Sequence, residues 1–242
     1  EIWEEEGELL VKKMPEDPAA AGHMRHIYES SLRLREDLKD TGLGVNRCAL
    51  EAEGLRFEYL QGETLEEELD RHLEKNDMEG LTQKIREYFS LFSEGSEPFR
   101  ATEEFKEVFG EVSFETPQSS RRVSDIDMIF SNVIWSKDRW ELVDYEWTFF
   151  FPVPVKYLQY RCLYYYILGN TRRARILGDE LYRTFGIAEE EQEQFASMEE
   201  HFQKYQVGDC RPYWTLYEEI SQGVIDAREV IGRESRKRDS RT

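Results

Sequence analysis

The sequence predicts a mixed α+β protein, with a small strand-rich N-terminal unit followed by a larger helical one. Three observations carry that expectation. Alternating apolar and polar residues dominate the first quarter, helical periodicity dominates most of the remainder, and a short hairpin pattern interrupts the helices around residues 132–145. Strands gathered at one end argue against repeated βα units. The boundary falls near Gly62, giving units 1–62 and 63–232 and a basic tail over 233–242.

The first segment turns at Gly7, with Ile2 and Trp3 on one side and Leu9, Leu10 and Val11 on the other, and ends in Lys12 and Lys13. That pattern predicts a hairpin. After Pro15 and Pro18 the period changes: Met24, Ile27, Ser31, Leu34 and Leu38 recur at helical spacing, with Gly42 and Gly44 as stop signals. Two strands are expected over 45–52 and 55–60, joined through Glu53 and Gly54. Thr64 followed by Glu67 is a capping-box pattern that starts a helix carrying Leu65 and Leu69. Leu81, Ile85, Tyr88, Phe89 and Phe92 mark a stronger amphipathic helix. The polar stretch 93–122 offers one helical candidate at 105–109. Extended segments follow over 123–130, 132–135 and 140–145, with Lys137 and Asp138 as the hairpin turn. Helices account for most of 155–231, broken near Gly169, Gly186 and Gly208.

The 242 residues are 39% hydrophobic and 13% aromatic, enough to fill a sizeable core. No apolar run approaches the roughly 20 residues needed to span a bilayer. A formal charge of −19 repels phosphate backbones, so nucleic acid is not an expected partner. Cys48, Cys162 and Cys210 form no CxxC pair, which suggests neither a disulfide framework nor a zinc site and fits a reducing cytoplasm. His23, His26, His72 and His201 lack metal-ligand spacing, and His26 reads as a packing or capping residue. The aromatic runs at 147–151 and 157–166 read as core, and the acidic run 189–193 as a solvated helix start. Glu1 follows neither a Met nor a charged-then-apolar leader, so the expected polypeptide is mature, trimmed or cut from a longer chain.

The chemistry-bearing stretch is Ser124-Asp125-Ile126-Asp127-Met128-Ile129-Phe130-Ser131-Asn132, followed by Val143-Asp144-Tyr145-Glu146. Phosphoryl transfer needs an Asp to orient the acceptor hydroxyl, and an Asn and a second Asp to hold Mg²⁺ against phosphates. Asp127, Asn132 and Asp144 supply those groups, and a hairpin between the last two would bring them to one end of paired strands.

This segment resembles the D-x-x-x-x-N catalytic loop and metal-binding Asp of the protein-kinase-like superfamily, particularly its aminoglycoside and choline kinase branch, which has D-x-E-like endings. More loosely, the chain resembles kinase-like domains fused to bacterial glycosyltransferases and methyltransferases of surface-polysaccharide synthesis. The resemblance implies a two-lobed protein-kinase-like fold with a reduced N-lobe. It implies an ATP- and Mg²⁺-dependent phosphotransferase acting on a hydroxyl of a small molecule or glycan. Asp127 would be catalytic, Asn132 and Asp144 metal ligands, and Glu146 an additional ligand. Leu9-Leu10-Val11-Lys12 is similar to the third-strand V-A-I-K, so Lys12 would grip phosphates, with Lys13 left as the alternative. Glu29 would orient that lysine, and backbone groups of Glu58 and Leu60 would hold adenine. The chain departs from the pattern in three places. No G-x-G-x-x-G precedes Lys12, Asp125-Ile126 stands where His-Arg or His-Gly is usual, and no A-P-E-like segment follows Asp144. The missing glycine-rich loop keeps open a catalytically silent kinase-like module that binds a partner or a nucleotide within a larger biosynthetic protein, and an all-helical scaffold without a nucleotide site would require the N-terminal strand pattern to be misread.

Overall fold

The N-terminal alternation becomes a hairpin of β1 (Ile2–Glu5) and β2 (Glu8–Lys13), turned at Gly7, whose φ of 85° suits glycine best. A computed structural model describes residues 2–5, 7–15, 17 and 20–207. Helix α1 (Ala21–Asp37) buries Met24, Ile27, Ser31 and Leu34 on the face its periodicity predicts. It is followed by β3 (Gly44–Val45), β4 (Cys48–Glu51), β5 (Gly54–Glu58) and β6 (Glu63–Thr64). Helix α2 (Leu65–Glu74) starts in the expected capping box, with both the Thr64 and Glu67 bonds made. Helix α3 (Met78–Ser93) buries Leu81, Ile85, Tyr88, Phe89 and Phe92.

The middle of the chain is less regular: β7 (Glu97–Pro98), α4 (Glu103–Phe109), β8 (Ser119–Arg121) and β9 (Ser124–Asp125). Instead of a strand over 123–130, only β9 forms, and a 3-10 turn covers Phe130–Asn132. The hairpin of β10 (Val133–Ser136) and β11 (Arg139–Leu142) then forms with Trp135 opposite Trp140. Its turn is the expected Lys137-Asp138 pair, with φ of 53° and 62°, the two positive values a tight two-residue hairpin loop requires. Next come β12 (Thr148–Phe149), β13 (Val153–Pro154), α5 (Val155–Leu168), α6 (Thr171–Ile176), α7 (Gly178–Thr184) and α8 (Glu189–Val207). The helical pattern up to 231, the break at Gly208, Cys210 and the basic tail lie outside the described residues.

The strands do not merge into one sheet. The N-terminal sheet has the order β1-β2-β5-β4, the hairpin sheet β3-β11-β10-β6, and two small sheets pair β12 with β9 and order β13-β8-β7. In the hairpin sheet, β3 runs parallel to β11, with Val45 opposite Leu142, and β6 runs antiparallel to β10, with Thr64 opposite Ile134. The segment leaving α1 and the segment leaving β5 thus clasp the same hairpin. Gly62 passes so close to β10 that an added Cβ would sit 2.1 Å from the Trp135 carbonyl oxygen. Because that neighbour is backbone and cannot swing away, Gly62→Ala should lower stability by about 1–3 kcal/mol in urea unfolding, and a neutral result would mean that the two segments can separate at this crossing without cost.

One hydrophobic core runs from α1 through α2, α3 and α5 to α8. Tyr157, Leu158, Cys162, Leu163 and Tyr166 of α5 are buried around several sides of the helix, which is why its sequence lacks a polar face. Arg121 of β8 ties two helix ends together. Its Nε donates to Asp37 Oδ2 at 2.7 Å, Nη2 to the Asp37 carbonyl at 2.7 Å, and Nη1 to the Glu94 carbonyl at 2.6 Å, satisfying acceptors at the C-terminal ends of α1 and α3. No helix among the described residues is long and apolar enough to cross a membrane.

Candidate functional site

A cleft of about 390 Å³ opens where the N-terminal sheet meets the β10–β11 hairpin, bordered by Val11, Lys13, Phe57, Leu60, Val143 and Asp144 among others. Lys12 and Glu58 border it too. The register explains which lysine faces inward. Val11 lies opposite Phe57 and Lys13 opposite Leu55, and Leu55 and Phe57 are buried, so Lys13 shares the face turned to the core. Lys12 lies on the opposite face of β2, over the Trp3 ring at 4.3 Å and 4.0 Å from Glu51. Strand alternation places Lys12 on the face of β2 that carries Leu10. That residue does not discriminate, because both faces of β2 carry apolar side chains.

The expected pairing of Lys12 with Glu29 is not formed. Glu29 is about half exposed and binds Arg33 one turn along α1, a common arrangement for charges on a solvated helix face. The α1 residue that reaches Glu146 is His23. Lys13 Nζ and His23 Nε2 each contact a different oxygen of Glu146. Burial alone would raise the Glu146 carboxyl, but the hydrogen bonds and charges of Lys13 and His23 outweigh it and hold it below its ordinary range. Both oxygens of Glu146, the residue the resemblance implied as an additional metal ligand, are thus engaged by Lys13 and His23. His26 is a packing residue, as expected: its ring lies 5.2 Å from Phe150, and its Nε2 donates to the Thr148 carbonyl at 2.9 Å.

The loop from Asp125 to Asn132 is anchored at nearly every residue. Asp125 Oδ1 accepts the Asp127 backbone N–H at 3.0 Å, Arg161 Nε donates to the Ile126 carbonyl at 2.8 Å, and Tyr88 Oη donates to the Met128 carbonyl at 2.7 Å. Asn132 Nδ2 donates to the Asp127 carbonyl at 2.9 Å, while its own carbonyl accepts the Val143 N–H at 3.0 Å. These bonds set Asn132 opposite Val143, one residue before Asp144. Asp125, which stands where the resemblance called for a histidine, therefore supports the loop by accepting a hydrogen bond.

The carboxylates here feel one another. Desolvation pushes Asp127 up to about 6, against the opposing charge of Arg161 and with a further upward push from Asp144. Asp125 is only 1% exposed, and burial together with the charges of Asp127 and Asp144 drives it well above the ordinary carboxylate range. Its Oδ2 has no hydrogen-bond partner among the described residues. Asp144 itself is exposed at the cleft edge.

Arg161 of α5 escaped the sequence reading. It is 2% exposed, with Nη2 donating to Asp127 Oδ1 at 3.1 Å, Nη1 bound to Glu199 of α8, and its guanidinium 5.0 Å from the Tyr165 ring centre. Glu199 also accepts from Tyr165 Oη at 2.7 Å and Tyr157 Oη at 3.1 Å. Two signals pointed to this pair: an arginine inside an aromatic helix, and a glutamate at helical spacing within the buried row Phe195, Met198 and Phe202.

Among the described residues no group of three or more His, Cys, Asp or Glu is arranged to hold a metal ion. The oxygen donors around Asp144 are of another kind. Asn132 spends its amide nitrogen on the Asp127 carbonyl, leaving Oδ1 as an acceptor, and its backbone is bonded to Val143, the residue before the exposed Asp144. One carboxylate and one amide oxygen suit Mg²⁺, which keeps several waters and takes further ligands from substrate phosphates. Backbone groups for a planar base are also present, although the Glu58 carbonyl already accepts from Asn46 Nδ2 at 3.0 Å. No protein-family model matches the chain, and a search of curated proteins returns no match.

Proposed function

We propose that this protein is an ATP- and Mg²⁺-dependent phosphotransferase of kinase-like, two-lobed design, acting on a hydroxyl of a small molecule or glycan in the cytoplasm. The observation that carries the reading is that Asn132 is bonded both to Asp127 on the anchored loop and to Val143, the residue before Asp144, while Asp144 and Lys13 border one cleft and the Asp144 charge acts on Asp127. The small sheet with α1, the linking residues 59–61 and the helical remainder support the two-lobed arrangement, with the division near Gly62.

In this reading Lys13, held by Glu146 and His23, binds the non-transferred phosphates, and the backbone of Glu58 and Leu60 binds adenine. Asn132 and Asp144 would hold Mg²⁺, which supplies charge neutralisation at the phosphates when bound. Asp127 orients the acceptor hydroxyl and accepts its proton. Arg161 occupies Oδ1 of Asp127 and fixes the carboxylate plane, leaving Oδ2 for the hydroxyl. A carboxyl poised at about 6 is mostly ionised at neutral pH yet more basic than an ordinary one, which suits a general base. The acidic surface favours a neutral or cationic acceptor.

ADP release followed across a panel of polyols, amino alcohols and oligosaccharides tests the activity: acceptor-dependent release is expected, and release that ignores every acceptor would count against it. The choice of lysine has its own test. Lys13→Ala should weaken ATP binding by about tenfold or more, as loss of a charge-assisted contact does, and Lys12→Ala should change it by less than about threefold; the reverse order would return the phosphate contact to Lys12. The short β1–β2 turn, with no glycine-rich segment, favours a second reading in which the same module binds nucleotide or a fused glycosyltransferase or methyltransferase without turnover.

A further inference from the structure

We infer that a second pocket, meeting the cleft at Asn46, Glu58 and Leu60, is a binding site for a small soluble anion carrying one or two phosphate groups. The pocket holds about 430 Å³, within the usual range for small-molecule sites. Five cationic side chains converge on it from separate parts of the chain: Arg35 and Lys39 at and beyond the end of α1, Arg47 before β4, Lys137 in the hairpin turn and Arg139 on β11. Such a concentration stands out on a chain whose formal charge is −19.

The two carboxylates at the pocket do not neutralise it. Glu58 is taken by Lys137 at 2.6 Å, and Glu141 by Arg139 at 2.7 Å. Lys39 shares Glu36 at 2.6 Å. The guanidinium groups of Arg35 and Arg47 have neither an ion pair nor a hydrogen bond among the described residues. The α1 dipole accounts for Arg35 and Lys39 near its C-terminal end, but not for Arg47, Lys137 and Arg139, which belong to other elements. Planar guanidinium forks match phosphate oxygens in pairs, so two unengaged arginines beside a hydrated cavity select phosphate over halide or a lone carboxylate. Asn46 adds a polar contact: it is only 6% exposed, and its Oδ1 has no partner among the described residues while Nδ2 is fixed on the Glu58 carbonyl, so a ligand hydroxyl would have an acceptor there.

This inference does not depend on phosphotransfer. Pyrophosphate titrated calorimetrically into the full chain, without divalent metal and at about 0.15 M salt, where screening removes distant charge effects, should give saturable binding. Arg35 and Arg47 are both exposed, so the Arg35→Gln/Arg47→Gln double variant should keep its fold and lose about tenfold or more in affinity. Lys13→Ala, which removes the phosphate contact assigned to the cleft, should keep the saturable component that the double variant loses. No saturable heat at millimolar pyrophosphate would overturn the site. So would full affinity in the double variant, or loss of that component in Lys13→Ala, which would place the anion in the cleft. A chain that fails to bind ATP but passes this test would sink the proposed activity and leave the anion pocket standing.

Discussion

Asp127→Asn is expected to cut phosphotransfer by about 10²–10⁴-fold, the contribution of a positioned general base, while ATP affinity stays within about threefold of the unaltered protein. The amide keeps an oxygen for Arg161 Nη2 and leaves the backbone bonds of the loop untouched, so the fold should survive. Single-turnover transfer alongside calorimetric ATP binding separates the two quantities, and equal loss of both would remove the role assigned to Asp127. The same variant has a stability signature in the nucleotide-free protein. The Asp127 pKa is raised to about 6, so the folded chain binds more proton than the unfolded chain between about pH 4 and pH 6. This contribution favours folding at low pH and is lost as pH rises through 6. Asp127→Asn should therefore flatten the fall in stability across that window, and an unchanged profile would show that Asp127 titrates normally.

Arg161→Met should destabilise the protein by about 3–5 kcal/mol, because it strips the counter-charge from buried Glu199 and from Asp127 together. For a chain this long, that corresponds to a loss of about 6–20 °C in Tm. Arg161→Met/Glu199→Leu removes both charges and should recover a substantial part of the loss, since an apolar pair of similar volume avoids the desolvation cost. A single variant that loses less than about 1 kcal/mol would show that the pair is solvated and not a buried strut. Catalysis should suffer in both variants, because neither supplies the Asp127 Oδ1 partner.

The parts of the fold that were legible in the sequence are those dictated by local rules. The Thr64–Glu67 capping box, the apolar faces of α1 and α3, and the Lys137-Asp138 turn each follow from residues close in sequence, and each formed as expected. The stretch 123–130 was less readable because its apolar residues serve a loop held by tertiary bonds. Tyr88 and Arg161, distant in sequence, supply two of those bonds.

The same division separates the candidate site into readable and unreadable parts. The five-residue step from Asp127 to Asn132 and the hairpin that brings Val143 opposite Asn132 could be read directly. The partner of the strand lysine could not. Glu29 has the right chain position but the wrong helix face, and Glu146 gains its partners Lys13 and His23 only when β2 and α1 both pack near the end of the hairpin. Likewise, nothing local to α5 says that Arg161 reaches Asp127, although its burial among tyrosines called for a carboxylate partner somewhere.

Titration of the chain with ATP and Mg²⁺ by calorimetry, set beside Lys13→Ala and Asp144→Asn, tests the central claim most directly. A saturable one-site isotherm is expected, with Lys13→Ala weakened whether or not metal is present and Asp144→Asn weakened chiefly when it is. Absence of heat at millimolar nucleotide, or an isotherm indifferent to both substitutions, would contradict a nucleotide-and-metal cleft between Lys13 and Asp144.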